Sequence, residues 1–187
     1  MADHRQIVPF FIKWEGGLSN DKSDSASSNP CPLTIDGIGG YHTNKGVTYS
    51  AWVGVFGKNQ NERFVEMNEH DWGLIFKSKY WDAVKGDDIE SQAIANVLVS
   101  WAWGSGAKTA VRQIQRVVGV TRDGIIGKNT LKAINERNEL ELFDECIKQR
   151  ESFFRYICER TPRNKRFLKG WLNRLEDFNN KFRPDEK

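Results

Sequence analysis

The sequence predicts a mainly α fold. Apolar residues recur every three or four positions through most of the chain, the period of a helix with one buried face. Capping residues stand ahead of these runs, and Gly or Pro stands behind them. No strand-like alternation lasts longer than a few residues, so at most a small hairpin fits within residues 18–47. With 187 residues and a 39% hydrophobic set, the chain is one ordinary domain, or one domain with a small appended lobe.

The first helix starts at Asp3, a plausible N-cap, and carries Ile7, Phe10, Phe11 and Trp14 on one face. Pro9 bends its early part, and Gly16-Gly17 ends it. Residues 18–46 lack helical periodicity and are rich in Ser, Asn, Asp, Pro and Gly, a long irregular stretch of the kind that carries function. The insertion from Ser25 to Ile38 has few large apolar side chains and reads as a mobile flap over the cleft rather than core. Thr48 caps a short helix to Phe56, and Asn68 caps the next, whose face is Trp72, Ile75, Phe76, Lys79 and Tyr80. Residues 90–103 are apolar nearly all round, which marks the buried centre of a helical domain. Ser105 caps a helix that Gly119 stops, and Asp123-Gly124 makes a tight turn before a short helix to Asn135. Asn138 with Glu141 forms a capping-box-like start for a long helix, which Pro162 closes. The last helix aligns Leu168, Trp171, Leu172, Leu175 and Phe178.

Composition excludes several classes. Mean hydropathy is -0.62, and no apolar run approaches the roughly 20 residues that a membrane span needs. Three Cys do not make a disulfide scaffold, and with no Cys-x-x-Cys pair or His cluster a zinc site is not expected. The net charge of +3 is too weak to indicate nucleic-acid binding. It is unevenly placed: Arg160 to Lys187 holds nine Lys/Arg against four Asp/Glu, which suits an anionic surface or a solvated helix face. The first residues lack the pattern of a secretory signal, so synthesis in a cytoplasm is the expectation.

Glu15 is the residue that local physics singles out. It sits at the C-terminal end of the first helix, where the helix dipole disfavours a negative charge and a neutral acid is better placed. A neutral carboxylic acid is what a general acid must be. Asp24 follows nine residues later and Asp36 twelve further on, both in the irregular stretch. Two carboxylates flanking a cleft are the minimum for glycoside hydrolysis. Thr48 can hold a water or simply cap its helix. His42 and His70 have no second ligand at metal spacing. Cys146 and Cys158 read as small buried hydrophobes. Seven Trp, eleven Phe and four Tyr supply rings for the core and for stacking on sugars.

Phe11-Ile12-Lys13-Trp14-Glu15-Gly16-Gly17 resembles the opening Glu-Gly-Gly motif of the family 108 glycoside hydrolases, which are N-acetylmuramidases of phages and bacteria. Gly40-Tyr41-His42-Thr43-Asn44-Lys45-Gly46-Val47-Thr48 resembles that family's second motif, and Lys79-Tyr80-Trp81-Asp82 its Tyr-Trp segment. Gln113 to Ala133 resembles the peptidoglycan-binding region that accompanies the family, closed by Gly170-Trp171-Leu172-Asn173-Arg174. Two departures stand out. The insertion Ser25–Ile38 separates Asp24 from Gly39, and Trp101-Ala102-Trp103-Gly104-Ser105-Gly106 lacks the family's acidic residue.

The resemblance implies a lysozyme-like helical fold with a long irregular active-site loop. It implies a catalytic region over 1–88 and a peptidoglycan-binding region over 89–187, packed as one globular unit. The implied activity is hydrolysis of the β-1,4 bond after N-acetylmuramic acid, with Glu15 protonating the leaving oxygen. Asp24, favoured over Asp36, would hold the attacking water with Thr48. Tyr41, His42, Asn44 and Trp52 are candidate sugar contacts. No cofactor or metal is implied. The partner is a peptidoglycan glycan strand, met by a monomer without nucleic acid or stable membrane insertion. Release to the wall through a membrane pore is the setting an endolysin would have. A non-catalytic wall-binding or secretion accessory protein, and a lytic transglycosylase or chitinase, are the competing readings.

Overall fold

Helices dominate, as the periodicity predicts, and the strands are two residues each. This computed structural model describes residues 1–186, with the backbone alone at Ser25; Lys187, one of the cations of the basic end, lies outside the described residues. Packing divides the chain into Val8–Lys79 and a second unit made of Met1–Ile7 with Tyr80 onward.

The unit Val8–Lys79 contains α1 (Val8–Trp14), β1 (Leu18–Ser19), β2 (Thr43–Asn44), β3 (Val47–Thr48), α2 (Tyr49–Phe56), α3 (Asn61–Val65) and α4 (Glu69–Phe76). Pro9 falls in the first turn of α1, where its missing N–H has no intrahelical partner to lose. The strands form one antiparallel sheet in the order β1-β2-β3. Lys45 and Gly46 turn β2 into β3, with φ of 47° and 75°, the two-residue turn that suits strand twist. Residues 20–42 leave the sheet between β1 and β2, so the insertion is accommodated without disturbing strand register. The insertion is tied down rather than free of the core. Cys31 is buried and its amide donates to the Tyr41 carbonyl at 2.7 Å, while the Asn29 side-chain amide donates to Ser50 Oγ at 2.7 Å.

Thr48 and Asn68 cap α2 and α4, accepting from Ala51 and Asp71 amides at 3.2 and 2.9 Å. Helix α3 has no side-chain cap and was not expected; Phe64 anchors it in the core. That core is aromatic. Phe11 lies 4.9 Å from Phe76 between ring centroids, and Trp72 stacks on Phe76 at 5.0 Å. Trp52 and Phe64 meet at 5.7 Å.

In the second unit, Asp3 caps only a single 3-10 turn, accepting from the Arg5 amide at 2.9 Å. The centre is α5 (Gln92–Ser105), in which every residue from Ala93 to Ala102 is buried. It packs against α6 (Ala107–Val117) and α8 (Glu139–Arg160), and α8 packs against α9 (Lys165–Phe182). Ser105 ends α5 instead of capping α6; Gly106, at φ 81°, makes the junction, a conformation that glycine adopts without strain. Asn138 caps α8 as expected, accepting from the Glu141 amide at 3.0 Å. Between α6 and α7 (Lys128–Asn135), buried Gln115 holds the turn at 123–127: its amide donates to Asp123 Oδ1 and the Ile125 carbonyl, and its oxygen accepts from Gly124. Cys146 and Cys158 are buried free thiols, and burial pushes Cys146 up to about 12. Among the described residues no helix is long and apolar enough to cross a membrane.

Candidate active site

The register that turns Phe10 and Phe11 into the core brings α1 to its end at Trp14. Glu15 still donates its amide to the Phe11 carbonyl at 3.0 Å, so it occupies the last turn of the helix, half-buried. Gly16 and Gly17 release the chain into β1. The β2–β3 turn then returns to this point, and the Lys45 amide donates to the Gly17 carbonyl at 3.3 Å. The two motifs, distant in sequence, are thereby joined in space.

Two further bonds set the opposite wall. Lys45 Nζ donates to the Met67 carbonyl at 2.7 Å, and Trp72 Nε1 donates to the Lys45 carbonyl at 2.9 Å. They hold the turn against the start of α4. The result is a cavity of about 240 Å³ lined by Ile12, Glu15, Gly16, Gly17, Lys45, Glu69 and Trp72. Two glutamates and a lysine therefore line one recess that has an aromatic wall. The helix ends differ in sign. Glu15 is at the C-terminal end of α1, where negative charge is disfavoured, and Glu69 opens α4, where it is favoured.

The other sequence candidates lie elsewhere. Asp24 is exposed, and its Oδ1 accepts from the Ala26 amide at 2.9 Å as the cap of the 3-10 turn Ser25–Ser28. Asp36 is exposed at the tip of the Ile35–Ile38 turn, with φ 48°. Thr48 is engaged as the α2 cap. None of these three lines the Glu15 cavity. Tyr41 is partly exposed on the loop.

His42, Asn44 and Trp52, expected as sugar contacts, are beneath the surface. His42 is fully buried between Thr43 Oγ1 at 3.0 Å and the Asp21 carbonyl at 3.1 Å. Asn44 donates to the Phe64 and Val65 carbonyls at 2.7 and 2.9 Å. Trp52 donates to the Gln60 carbonyl at 3.1 Å, with its ring in the aromatic core. Their polar atoms are engaged by neighbouring backbone carbonyls and, for His42, the Thr43 hydroxyl. Sequence reasoning missed Glu69 and gave Lys45 no role.

Two glutamates lining one recess in a helical fold with a short sheet are residues of the type that glycosidases use to break a glycosidic bond. The chain belongs to the glycosyl hydrolase 108 family, which matches residues 8–106. A second family, described as a predicted peptidoglycan domain, matches residues 109–176. Among solved structures, Brucella abortus SagA is similar in fold: TM-score 0.76 at 24% identity, over 97% of this chain and 96% of that one. Among proteins of curated function, none matches the chain.

Proposed function

We propose that the protein is a lysozyme-type N-acetylmuramidase, cleaving the β-1,4 bond after N-acetylmuramic acid, with Glu15 as general acid. The observation that carries this reading is Glu15 itself, at a helix end inside a cavity where both sequence motifs meet. Its membership of a glycosyl hydrolase family supports the reaction type, and the adjoining peptidoglycan domain supports the substrate.

In the proposed reaction Glu15 gives its proton to the glycosidic oxygen as the C1–O bond breaks. Glu69, which shares the cavity, takes a proton from the water that attacks C1. Attack from the face opposite the acid inverts the anomeric centre. Glu69 takes this role in place of Asp24, because Glu69 lines the Glu15 cavity and Asp24 does not. His42 and Asn44 act by holding the loop that presents Lys45, and Tyr41 remains the partly exposed candidate for sugar contact. Residues 1–88 would supply the catalytic region and 89–187 the wall-binding one, in a monomer. The biological setting proposed is that of an endolysin, delivered to the wall from the cytoplasm.

The test is clearance of a suspension of purified walls. The reading expects the wild type to clear it and Glu15→Gln to retain less than a tenth of that rate. An equally active variant would remove Glu15 from the chemistry, and an inactive wild type would favour a non-catalytic wall binder.

A further inference from the structure

Buried cations in proteins are ordinarily paired and hydrogen-bonded, because burial strips their hydration. Arg150 on α8 departs from this pattern. It is 6% exposed, and no carboxylate among the described residues pairs with it. A guanidinium carries five N–H donors. Those of Arg150 find two acceptors, both on Ser100: Oγ at 2.9 Å and the backbone carbonyl at 3.0 Å. Its Nε–H is buried without a partner. The Phe154 ring, 5.5 Å from the guanidinium carbon, supplies only a cation–π contact.

Arg150 lines a recess of about 120 Å³ between α5, α8 and α9. Arg174, on α9, lines the same recess. Burial and the Arg174 charge push Arg150 down to about 9, which leaves it protonated at neutral pH. Ser105 contributes a hydroxyl, and Ile157 and Trp171 make apolar walls. Trp171 and Arg174 belong to the Gly-Trp-Leu-Asn-Arg motif, for which the hydrolytic cavity has no use.

We propose that this recess binds a carboxylate, and that its source is the free C-terminal carboxylate of a peptidoglycan stem peptide. A guanidinium fork matches a carboxylate in shape and charge. The volume is that of about four waters, enough for a carboxylate with a small apolar carbon such as an alanine methyl. The walls suit that methyl. The choice of source rests on the peptidoglycan reading above; the carboxylate chemistry does not.

Calorimetric titration of the full chain tests this, with N-acetyl-D-alanyl-D-alanine against its C-terminal amide. The free acid should bind about tenfold tighter or more, as a charge-assisted hydrogen bond is worth, and Arg150→Met should erase the preference. Equal binding of acid and amide to the wild type, or no binding of either, overturns the site. N-acetylmuramic acid, whose carboxylate is on the sugar, should bind more weakly than the peptide; equal or tighter binding overturns the stem assignment. Should Arg150→Met fail to fold, Arg174→Met and the acid–amide comparison on unaltered protein still decide. No hydrolysis enters this measurement, so its failure leaves the Glu15 reading intact, and an active Glu15→Gln variant leaves the recess intact.

Discussion

Glu15 and Glu69 line one cavity, the first from the C-terminal end of α1 and the second from the N-terminal end of α4. The pair predicts unequal losses on substitution. Glu15→Gln removes the proton donor and should lower turnover about 10²- to 10⁴-fold. Glu69→Gln should lower it substantially. Asp24→Asn should lower it by less than about twofold, since both carboxyl groups that hydrolyse a glycoside must flank the bond that breaks. Turnover on purified glycan fragments measures all three. A loss in Asp24→Asn matching that in Glu69→Gln would return the second role to Asp24.

The buried amide of Asn44 predicts a stability effect. Asn44→Ala leaves the Phe64 and Val65 carbonyls without their donors. Leaving buried groups unsatisfied costs about 1–3 kcal/mol. Denaturant unfolding should show that loss. Unchanged stability with weakened substrate binding would make Asn44 a sugar contact after all.

Much of the fold was legible because its signals are local. Thr48, Asn68 and Asn138 each cap a helix through an amide three residues on, and a cap of that reach is visible in sequence. Ser105 looked like another, but the chain turns at Gly106, and α3 has no capping side chain to announce it. Glu15 was legible because Gly16-Gly17 marks the helix end beside it. Glu69 was not: in sequence it is an ordinary acid in a first helical turn, and it is brought to the Glu15 cavity by tertiary bonds of Lys45 with Gly17, Met67 and Trp72. His42 and Asn44 stand in a polar motif and read as surface, yet each is bonded to a carbonyl about twenty residues away in the chain.

The turn at 123–127 predicts a pH dependence. The Gln115 amide and the Ile125 N–H hold the Asp123 carboxyl below its ordinary value. A depressed carboxyl stabilises the fold above its unfolded value of about 3.9, and the contribution disappears as pH falls through the lower folded value. Asp123→Asn should therefore be less stable than wild type at pH 7, with the gap closing below about pH 4. A gap of constant size across that range would show that the charge of Asp123 contributes nothing.

The basic end predicts a salt-sensitive attachment. Arg163, Lys165, Arg166 and Lys169 are all exposed, beside or within the start of α9. Exposed charges act over about 8–10 Å at physiological salt. Replacing the four with Gln should weaken sedimentation with whole walls and leave turnover of short soluble glycans nearly unchanged. Equal loss on both substrates would make them structural.

The central claim is that Glu15 drives hydrolysis of the bond after N-acetylmuramic acid. Mass spectrometry of the ends released from purified peptidoglycan tests it most directly. The account predicts reducing N-acetylmuramic acid ends from the wild type, falling by at least tenfold with Glu15→Gln. Reducing N-acetylglucosamine ends, anhydro ends, or undiminished release by the variant would contradict it.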